Sequence, residues 1–155
     1  MELIFPYLRR HGFTHILDFG GGSGDLCMAL SEYGFLASYC DVNRVLSDFS
    51  LWRFERRGLR IEAADPSDLG NNRFDCVVSF DVFEHLKNLP DKIRQIARAI
   101  RPGGSLVFNI EFSGEGLHLK ENKVYADFRK IDAALRGAGL EFDSRFKMFL
   151  FYKKR

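Results

Sequence analysis

A glycine-rich turn between an apolar strand and a helix is the feature that most restricts how this chain can fold. The apolar run THILDF (14–19) is followed directly by GGGSG (20–24), and then by DLCMALSEYG (25–34), whose apolar residues recur at helical spacing. Glycines let the backbone come close to a ligand, and the first turn of the next helix presents free N–H groups. The unit therefore predicts an α/β domain with a ligand-binding turn.

The rest of the chain repeats this alternation of strand and helix. Further strands are predicted over 35–40, 59–64, 74–80 and 105–112, with a closing strand pair after residue 139. Helices are predicted over 2–11, 42–58, 91–100 and 124–139. In the second of these, the side chains expected on the buried side are Val45, Leu46, Phe49 and Trp52, with Leu51 as a further candidate. The alternation predicts a single domain over residues 1–155, doubly wound around a mostly parallel sheet.

Composition limits the classes of function that this chain can have. Its 155 residues amount to one ordinary domain, and a formal net charge of +2 favours neither nucleic acid nor a membrane as a partner. The three cysteines form no C-x-x-C pair, so no structural metal is predicted. Without a signal peptide or a membrane-spanning run, a cytoplasmic location is expected. The arginines expected on a solvated helix face, away from any site, are Arg53, Arg56, Arg57 and Arg60.

Aspartates lie at the ends of four predicted strands, at the edge of the sheet where ligands bind in doubly wound folds. Asp41, Asp65 and Asp81 directly follow their strands, and Asp18 is the last residue but one of the first strand. Any one of them could simply cap a helix or start a turn, but four in succession indicate a site. Asp41 is placed to accept hydrogen bonds from ribose hydroxyls, with Val42 against an adenine face. Asp65 is placed to accept from an adenine amino group.

The spacing of the glycines argues against a dinucleotide. The dinucleotide fingerprint G-x-G-x-x-G would need a third glycine at position 25, where this chain has Asp25. The spacing over residues 18–24 is instead D-x-G-x-G-x-G. A carboxylate at the start of the helix would also repel a pyrophosphate. We therefore expect neither NAD nor FAD to bind.

The segments ILDFGGGSG, CDV, AADPSD, FDCVVSFDVFEHL and AIRPGGSLVF, in this order, resemble the motifs of class I S-adenosylmethionine-dependent methyltransferases over roughly residues 14–112. The resemblance implies a three-layer α-β-α, Rossmann-like fold whose seven-stranded sheet is mostly parallel with its last strand antiparallel. It implies S-adenosyl-L-methionine as cofactor and S-adenosyl-L-homocysteine as product. The implied cofactor-binding residues are Asp18, Phe19, Gly20, Gly22, Gly24, Asp41, Val42, Asp65, Pro66, Phe80 and Asp81.

Relatives usually carry more helix before the first strand than the thirteen residues that precede Thr14 here. We therefore expect a shortened N-terminal cap, with a protein partner or a homodimer completing the site. The aromatic and apolar residues expected to line the acceptor pocket are Phe83, Phe112, Leu117 and Tyr125, and loop 113–123 is the expected specificity element.

His85 is the candidate catalytic residue. Methyl transfer is an in-line displacement on a sulfonium, so the protein mainly positions and desolvates the nucleophile. An imidazole, with an intrinsic pKa of about 6.5, can take a proton from a hydroxyl or an amine. A further hypothesis combines Asp81, Glu84, His85 and His118 into a divalent-ion site, as in the similar clusters of ubiquinone-pathway and small-RNA methyltransferases. Because metal-free relatives share the EHL sequence, we predict no metal.

These features together predict a methyltransferase that acts on an oxygen or nitrogen of a small molecule such as a sugar or a phenol. Two alternatives stay open. The first is a non-catalytic, cofactor-binding partner subunit. The second is a metal-assisted RNA 2′-O-methyltransferase.

Overall fold

Seven strands form one sheet in a computed structural model, which describes residues 4–111 and 118–155. The strands are β1 (His15–Phe19), β2 (Leu36–Cys40), β3 (Glu62–Ala63), β4 (Phe74–Ser79), β5 (Ile100–Phe108), β6 (Leu140–Phe146) and β7 (Phe149–Lys154). Their order in the sheet is β3-β2-β1-β4-β5-β7-β6. Strands β1 to β5 pair in parallel, and β7 runs antiparallel to both β5 and β6. This confirms the predicted seven-stranded sheet with an antiparallel last strand.

Helices cover both faces of the sheet. They are α1 (Ile4–Arg10), α2 (Asp25–Glu32), α3 (Arg44–Arg56), α4 (Leu89–Ala99) and α5 (Phe128–Gly137), with 3-10 helices at Phe83–His85 and Lys120–Ala126. None of the helices in the described residues is long and apolar enough to cross a membrane.

Two apolar cores form because successive strand residues point to opposite faces of the sheet. Ile16 belongs to the core beneath α1 and α2, whereas its neighbour Leu17 belongs to the core beneath α4 and α5. The cysteines Cys27, Cys40 and Cys76 are all buried and free, as their apolar contexts predict.

The outer face of α3 contradicts the prediction that its apolar side chains are buried. Its exposed apolar side chains are Val45, Leu46, Phe49, Leu51 and Trp52. The helix instead buries Ser50 and Phe54 against the glycine turn, where a Cβ on Gly24 would lie 2.5 Å from the Phe54 ring. The side of α3 that faces the sheet is therefore determined by how closely Ser50 and Phe54 pack against the backbone of the glycine turn. Hydropathy alone predicts the wrong side.

Three element boundaries also differ from prediction. The strand predicted over 59–64 shortens to the two residues of β3, and the strand predicted over 105–112 begins already at Ile100. Helix α5 begins four residues later than predicted, because the Asp127 side chain caps it by accepting from the Arg129 amide at 2.9 Å.

Candidate functional site

A cavity of about 340 Å³ opens at the carboxyl ends of β1, β2 and β4. The residues that line it are Phe19, Gly20, Cys40, Asp41, Val42, Asn43, Asp81, Val82, His85 and Leu86. Six of these were predicted as site residues, from the ends of β1 and β2 and from the segment after β4. The cavity therefore lies at the edge where the order of the strands reverses, as the fold class predicts.

The glycine turn forms one wall and is packed on both sides. The amides of Gly20 and Gly21 donate to the Cys40 carbonyl at 2.7 and 3.1 Å. A Cβ on Gly20 would lie 2.3 Å from Val82 Cγ2, and one on Gly21 would lie 2.7 Å from the Tyr39 ring. Larger residues at these two positions would push the turn away from its neighbours, so the close packing explains the glycines.

Side chains from β2 and α3 hold the outer side of the turn. The hydroxyls of Tyr39 and Ser50 donate to the Gly22 carbonyl at 2.7 and 2.8 Å, and Arg53 donates to the Ser23 carbonyl at 2.5 Å. The prediction that Arg53 lies on a solvated face away from the site is therefore wrong. Its spacing of three from Ser50 is the signal that could have placed both on one face of α3.

Asp41 accepts two backbone hydrogen bonds at the cavity wall. Its Oδ2 accepts from the Gly22 amide at 2.9 Å and its Oδ1 from the Asn43 amide at 2.7 Å. Each carboxylate oxygen retains a second acceptor position. The side chain is therefore held in place by the turn and can still receive a pair of ligand hydroxyls.

Asp18 lies beneath the turn and is 5% exposed. Its Oδ2 has no hydrogen-bond partner within the described residues and sits 2.9 Å from where a Cβ of Gly21 would be. Burial raises the pKa of this carboxyl to about 7. A buried, incompletely partnered carboxylate is costly, so a cationic group near the turn would stabilise its ionised form.

Asn109, which sequence reasoning missed, holds the segment after β4. The Asp81 amide donates to Asn109 Oδ1 at 2.9 Å, and Asn109 Nδ2 donates to Asp81 Oδ1 at 2.5 Å. Asn109 is almost fully buried at the end of β5. No motif marks it, and because the strand is predicted to extend to residue 112 while β5 ends at Phe108, the sequence does not place Asn109 at a strand end.

Glu84, His85 and His118 come together beside the cavity. One ligand atom from each lies within 4.8 Å of the others, and the two imidazole rings are 5.1 Å apart. Glu84 is 2% exposed, burial raises the pKa of its carboxyl, and its Oε2 has no hydrogen-bond partner among the described residues. Asp81, the fourth member of the hypothesised cluster, is not part of this group, and its carboxylate instead accepts a hydrogen bond from Asn109.

A buried amide fixes the segment that carries His118. Asn122 Nδ2 donates to the carbonyls of Phe83 and Leu86 at 3.1 and 2.8 Å. The Leu119 amide donates to the Glu84 carbonyl at 3.0 Å. These bonds join residues more than thirty positions apart, which is why the sequence does not show them.

The remaining predicted cofactor residues lie outside the cavity lining in the part of the chain that the structure describes. Asp65 is exposed; its Oδ1 accepts from the amide and hydroxyl of Ser67, both at 2.7 Å, and these bonds lower the pKa of Asp65. Pro66 contacts α4, since its carbonyl accepts from Gln95 Nε2 at 3.1 Å. Phe80 packs against Phe149 with ring centroids 4.9 Å apart.

The predicted acceptor pocket is only partly described. Phe83 is fully buried and stacks on Phe108, so its predicted role in the pocket wall is wrong. Tyr125 packs against the edge of the same core. Phe112, Leu117 and residues 113–117 of the expected specificity loop lie outside the described residues.

A doubly wound sheet of this strand order, with a tight glycine turn after β1 and an acid after β2, defines a Rossmann-like cofactor-binding domain. More specifically, the chain belongs to the family described as methyltransferase domains, which it matches over residues 2–140. This confirms the resemblance to class I S-adenosylmethionine-dependent methyltransferases.

Among individual proteins, the chain is 31% identical over 99 residues to a ubiquinone biosynthesis O-methyltransferase of Coxiella burnetii, a match that covers 61% of this chain and 42% of the relative. The chain thus spans less than half the length of this curated relative.

Two solved structures share the fold. A putative sarcosine dimethylglycine methyltransferase from Galdieria sulphuraria has a TM-score of 0.74 at 19% identity, covering 94% of this chain and 62% of the other. The phosphoethanolamine N-methyltransferase 2 of Haemonchus contortus, solved with phosphomonomethylethanolamine and S-adenosylhomocysteine, has a TM-score of 0.69 at 24% identity, covering 90% and 37%.

Proposed function

We propose that this chain binds S-adenosyl-L-methionine in the 340 Å³ cavity and transfers its methyl group to an oxygen or nitrogen of a small molecule, releasing S-adenosyl-L-homocysteine. The observation that carries the proposal is the convergence of the glycine turn, Asp41 and the Asp81–Val82 segment on this one cavity. Family membership supports the reaction class, because the matched family is that of methyltransferase domains.

Each end of the cofactor has a matching set of residues. Asp41 receives the ribose hydroxyls, with Val42 against one face of the adenine and Asp65 and Pro66 toward its amino edge. The amino-acid end lies along the turn of Gly20, Gly22 and Gly24. Asp18 and the Phe80–Asp81 segment orient this end of the cofactor, and Phe19 contacts it beside the turn. The negative charge of the ionised Asp18 beneath the turn favours a ligand that carries an ammonium and a sulfonium over one that carries a pyrophosphate.

His85 is the residue that we propose accepts the proton of the nucleophile. It lines the same cavity as the cofactor residues, next to the apolar side chains of Val82 and Leu86. An apolar wall beside a base fits an acceptor with one reacting hydroxyl or amine on an apolar or aromatic frame. The name of the Coxiella relative, a ubiquinone biosynthesis O-methyltransferase, supports oxygen as the acceptor atom.

Titration calorimetry with S-adenosyl-L-methionine, together with a radiolabelled methyl-transfer screen of phenols, sugars and amines, tests the proposal. We expect Asp41→Ala to weaken cofactor binding by about 1–3 kcal/mol, because the hydrogen bonds to the ribose are lost. Asp48→Ala, on the exposed side of α3, is the matched control and should bind normally. If Asp41→Ala binds S-adenosyl-L-methionine as tightly as the unaltered chain, Asp41 does not bind the ribose. Tight binding without transfer to any acceptor would favour the partner-subunit alternative.

A second candidate adds a divalent cation to the same reaction. Glu84, His85 and His118 supply one carboxylate and two imidazoles, a donor set that suits a transition metal, and the unpartnered Oε2 of Glu84 is a free ligand atom. A cation held there would lower the pKa of an acceptor hydroxyl. Loss of methyl transfer in chelator, restored by Mn²⁺ or Zn²⁺, would establish it, and RNA ends belong in the same screen. Activity that is indifferent to chelator would eliminate it.

A further inference from the structure

The outward face of α3 carries a continuous line of apolar side chains, which we call the α3 stripe: Val42, Val45, Phe49 and Trp52. They are 79%, 77%, 47% and 54% exposed. Their spacing of three, four and three places the helical members on one side of α3, and Val42 extends the line toward the cavity. The helical part of the stripe, from Val45 to Trp52, is therefore about 10 Å long at the helical rise per residue. Exposed apolar surface of this continuity marks an interaction site.

Arginines flank the aromatic end of the stripe. The rings of Phe49 and Trp52 stack with centroids 6.0 Å apart. The Arg53 guanidinium lies over Phe49 at 5.5 Å, and that of Arg56 lies over Trp52 at 5.9 Å. Aromatic rings bordered by cationic side chains are typical of helices that lie in the headgroup region of a bilayer.

Positive charge is concentrated on this segment. Residues 42–60 hold five arginines and two acidic residues, a formal net charge of +3 against +2 for the whole chain. Two of these arginines, Arg53 and Arg57, pair with Asp25 and Glu32 of α2. Within residues 4–111 and 118–155, neither Arg56 nor Arg60 forms an ion pair. The nearly neutral total charge, which by itself predicts no membrane partner, therefore conceals a local basic surface.

We propose that the α3 stripe docks on the surface of a lipid bilayer that carries anionic headgroups. A two-fold contact between copies would bring Arg56 and Arg60, which no ion pair neutralises within residues 4–111 and 118–155, toward the same arginines of the other copy, which is unfavourable. An anionic bilayer supplies the opposite charge and accommodates a convex helix without a matching groove. The helix would lie in the interface and would not cross it. Because Val42 also lines the cavity, docking would bring the cavity mouth to the membrane surface.

The chain has a single tryptophan, so its fluorescence reports on the stripe directly. We would titrate the full chain with vesicles of phosphatidylglycerol and phosphatidylcholine in equal parts, and with vesicles of phosphatidylcholine alone. The expected result is a shift of Trp52 emission to shorter wavelength, quenching by brominated lipid, and co-sedimentation, all with the anionic vesicles only. Raising the salt concentration should reverse binding, because screening weakens the attraction of the arginines.

Substitutions separate the apolar and the charged contributions. Phe49→Ser should weaken vesicle binding about tenfold or more, since a Phe side chain no longer enters the interface. Arg56→Gln and Arg60→Gln should each weaken it about fivefold. Leu51→Ser is the matched control, because Leu51 is an exposed leucine of the same helix but lies off the stripe. Circular dichroism and thermal melting confirm that each variant is folded.

Three results would overturn the proposal. The first is no spectral change with anionic vesicles, and the second is equal binding to phosphatidylcholine alone. The third is self-association of the chain through the stripe. In that case Trp52 emission would already be blue-shifted without lipid, and the mass measured by sedimentation would rise with protein concentration. The Phe49→Ser variant would then sediment as a monomer. The readouts require neither cofactor nor methyl transfer, so they stand apart from the proposed function.

Discussion

Asn109 holds Asp81 through two hydrogen bonds between the ends of β4 and β5, at 2.9 and 2.5 Å. Asp81 has a φ of +53°, in the left-handed region that non-glycine residues rarely adopt. Such backbone conformations persist where surrounding contacts stabilise them, and they cluster at functional sites. Asn109 thus stabilises the turn that forms one wall of the cavity.

We expect Asn109→Ala to lower the free energy of unfolding by about 1–3 kcal/mol, because two hydrogen bonds to Asp81 are lost, one of them to its charged carboxylate. It should also weaken binding of S-adenosyl-L-methionine, since Asp81 loses its fixed position. Denaturant unfolding and calorimetry measure the two effects, and Asn71→Ala at an exposed position is the control. A loss of stability with unchanged cofactor binding would show that Asn109 supports the fold alone.

Two buried aspartates should respond to pH in opposite directions. Burial raises the pKa of Asp18 from 3.8 to about 7. Burial would also raise the pKa of Asp75, but hydrogen bonds from the His15 and Thr14 amides and the Arg101 charge outweigh it and hold this pKa below its usual range. Between pH 4 and 7, the unfolded chain has therefore released the Asp18 proton while the folded chain retains it.

It follows that Asp18 lowers stability as the pH rises from about 4 to 7, and that its full cost, on the order of 4 kcal/mol, is present above pH 7. We expect Asp18→Asn to raise the free energy of unfolding at pH 8 and to have little effect near pH 4. We also expect cofactor binding to strengthen between pH 6 and 8 as Asp18 ionises, and we expect this strengthening to be absent in Asp18→Asn.

Asp75→Asn is the comparison. Its depressed pKa gives stability that is present above pH 4 and is lost as the pH falls below it, so this variant should be destabilised at neutral pH. Urea unfolding over a series of pH values measures both variants. Parallel pH profiles for the two would contradict the assignment of opposite shifts.

The sheet and the cavity edge could be predicted from the sequence because their signals are local. The apolar strand THILDF, the glycines after it and Asp41 after the next strand are each visible within a few residues, and the parallel strand order brings them to one edge. Asn109 and Asn122 act on residues 28 or more positions away, where no periodic pattern reports a contact.

The orientation of α3 shows a different limit. Its apolar side chains repeat at helical spacing, which predicts the helix but cannot say which side faces the sheet. The deciding contact is the fit of Ser50 and Phe54 against Gly24, a property of the folded turn. A hydropathy pattern does not reveal a small polar residue that is buried beside a glycine, because neither residue raises the hydropathy of that face of the helix.

Alanine substitutions at two glycines of the turn would distinguish the free-energy cost of a steric clash from that of a left-handed backbone. Gly20 has a φ of +79° and no room for a Cβ beside Val82, whereas Gly22 has a φ of +51° and nothing within 4 Å. Both alanine variants pay about 1–2 kcal/mol for the left-handed backbone. We therefore expect Gly20→Ala to be the more destabilising in thermal melting, and Val82→Ala to restore part of its loss. Equal losses at both positions would contradict the close approach.

The roles of His85 and His118 can be separated by kinetics. If His85 is the general base, His85→Gln should lower kcat by about 10²–10⁴ while leaving the Kd for S-adenosyl-L-methionine unchanged, because His85 is not among the proposed cofactor contacts. His118→Gln should then retain most of kcat. If the pair instead shares a divalent cation with Glu84, both variants should lose activity and metal content together, measured by single-turnover kinetics and elemental analysis. Full activity of His85→Gln would exclude both roles, since either mechanism requires this imidazole.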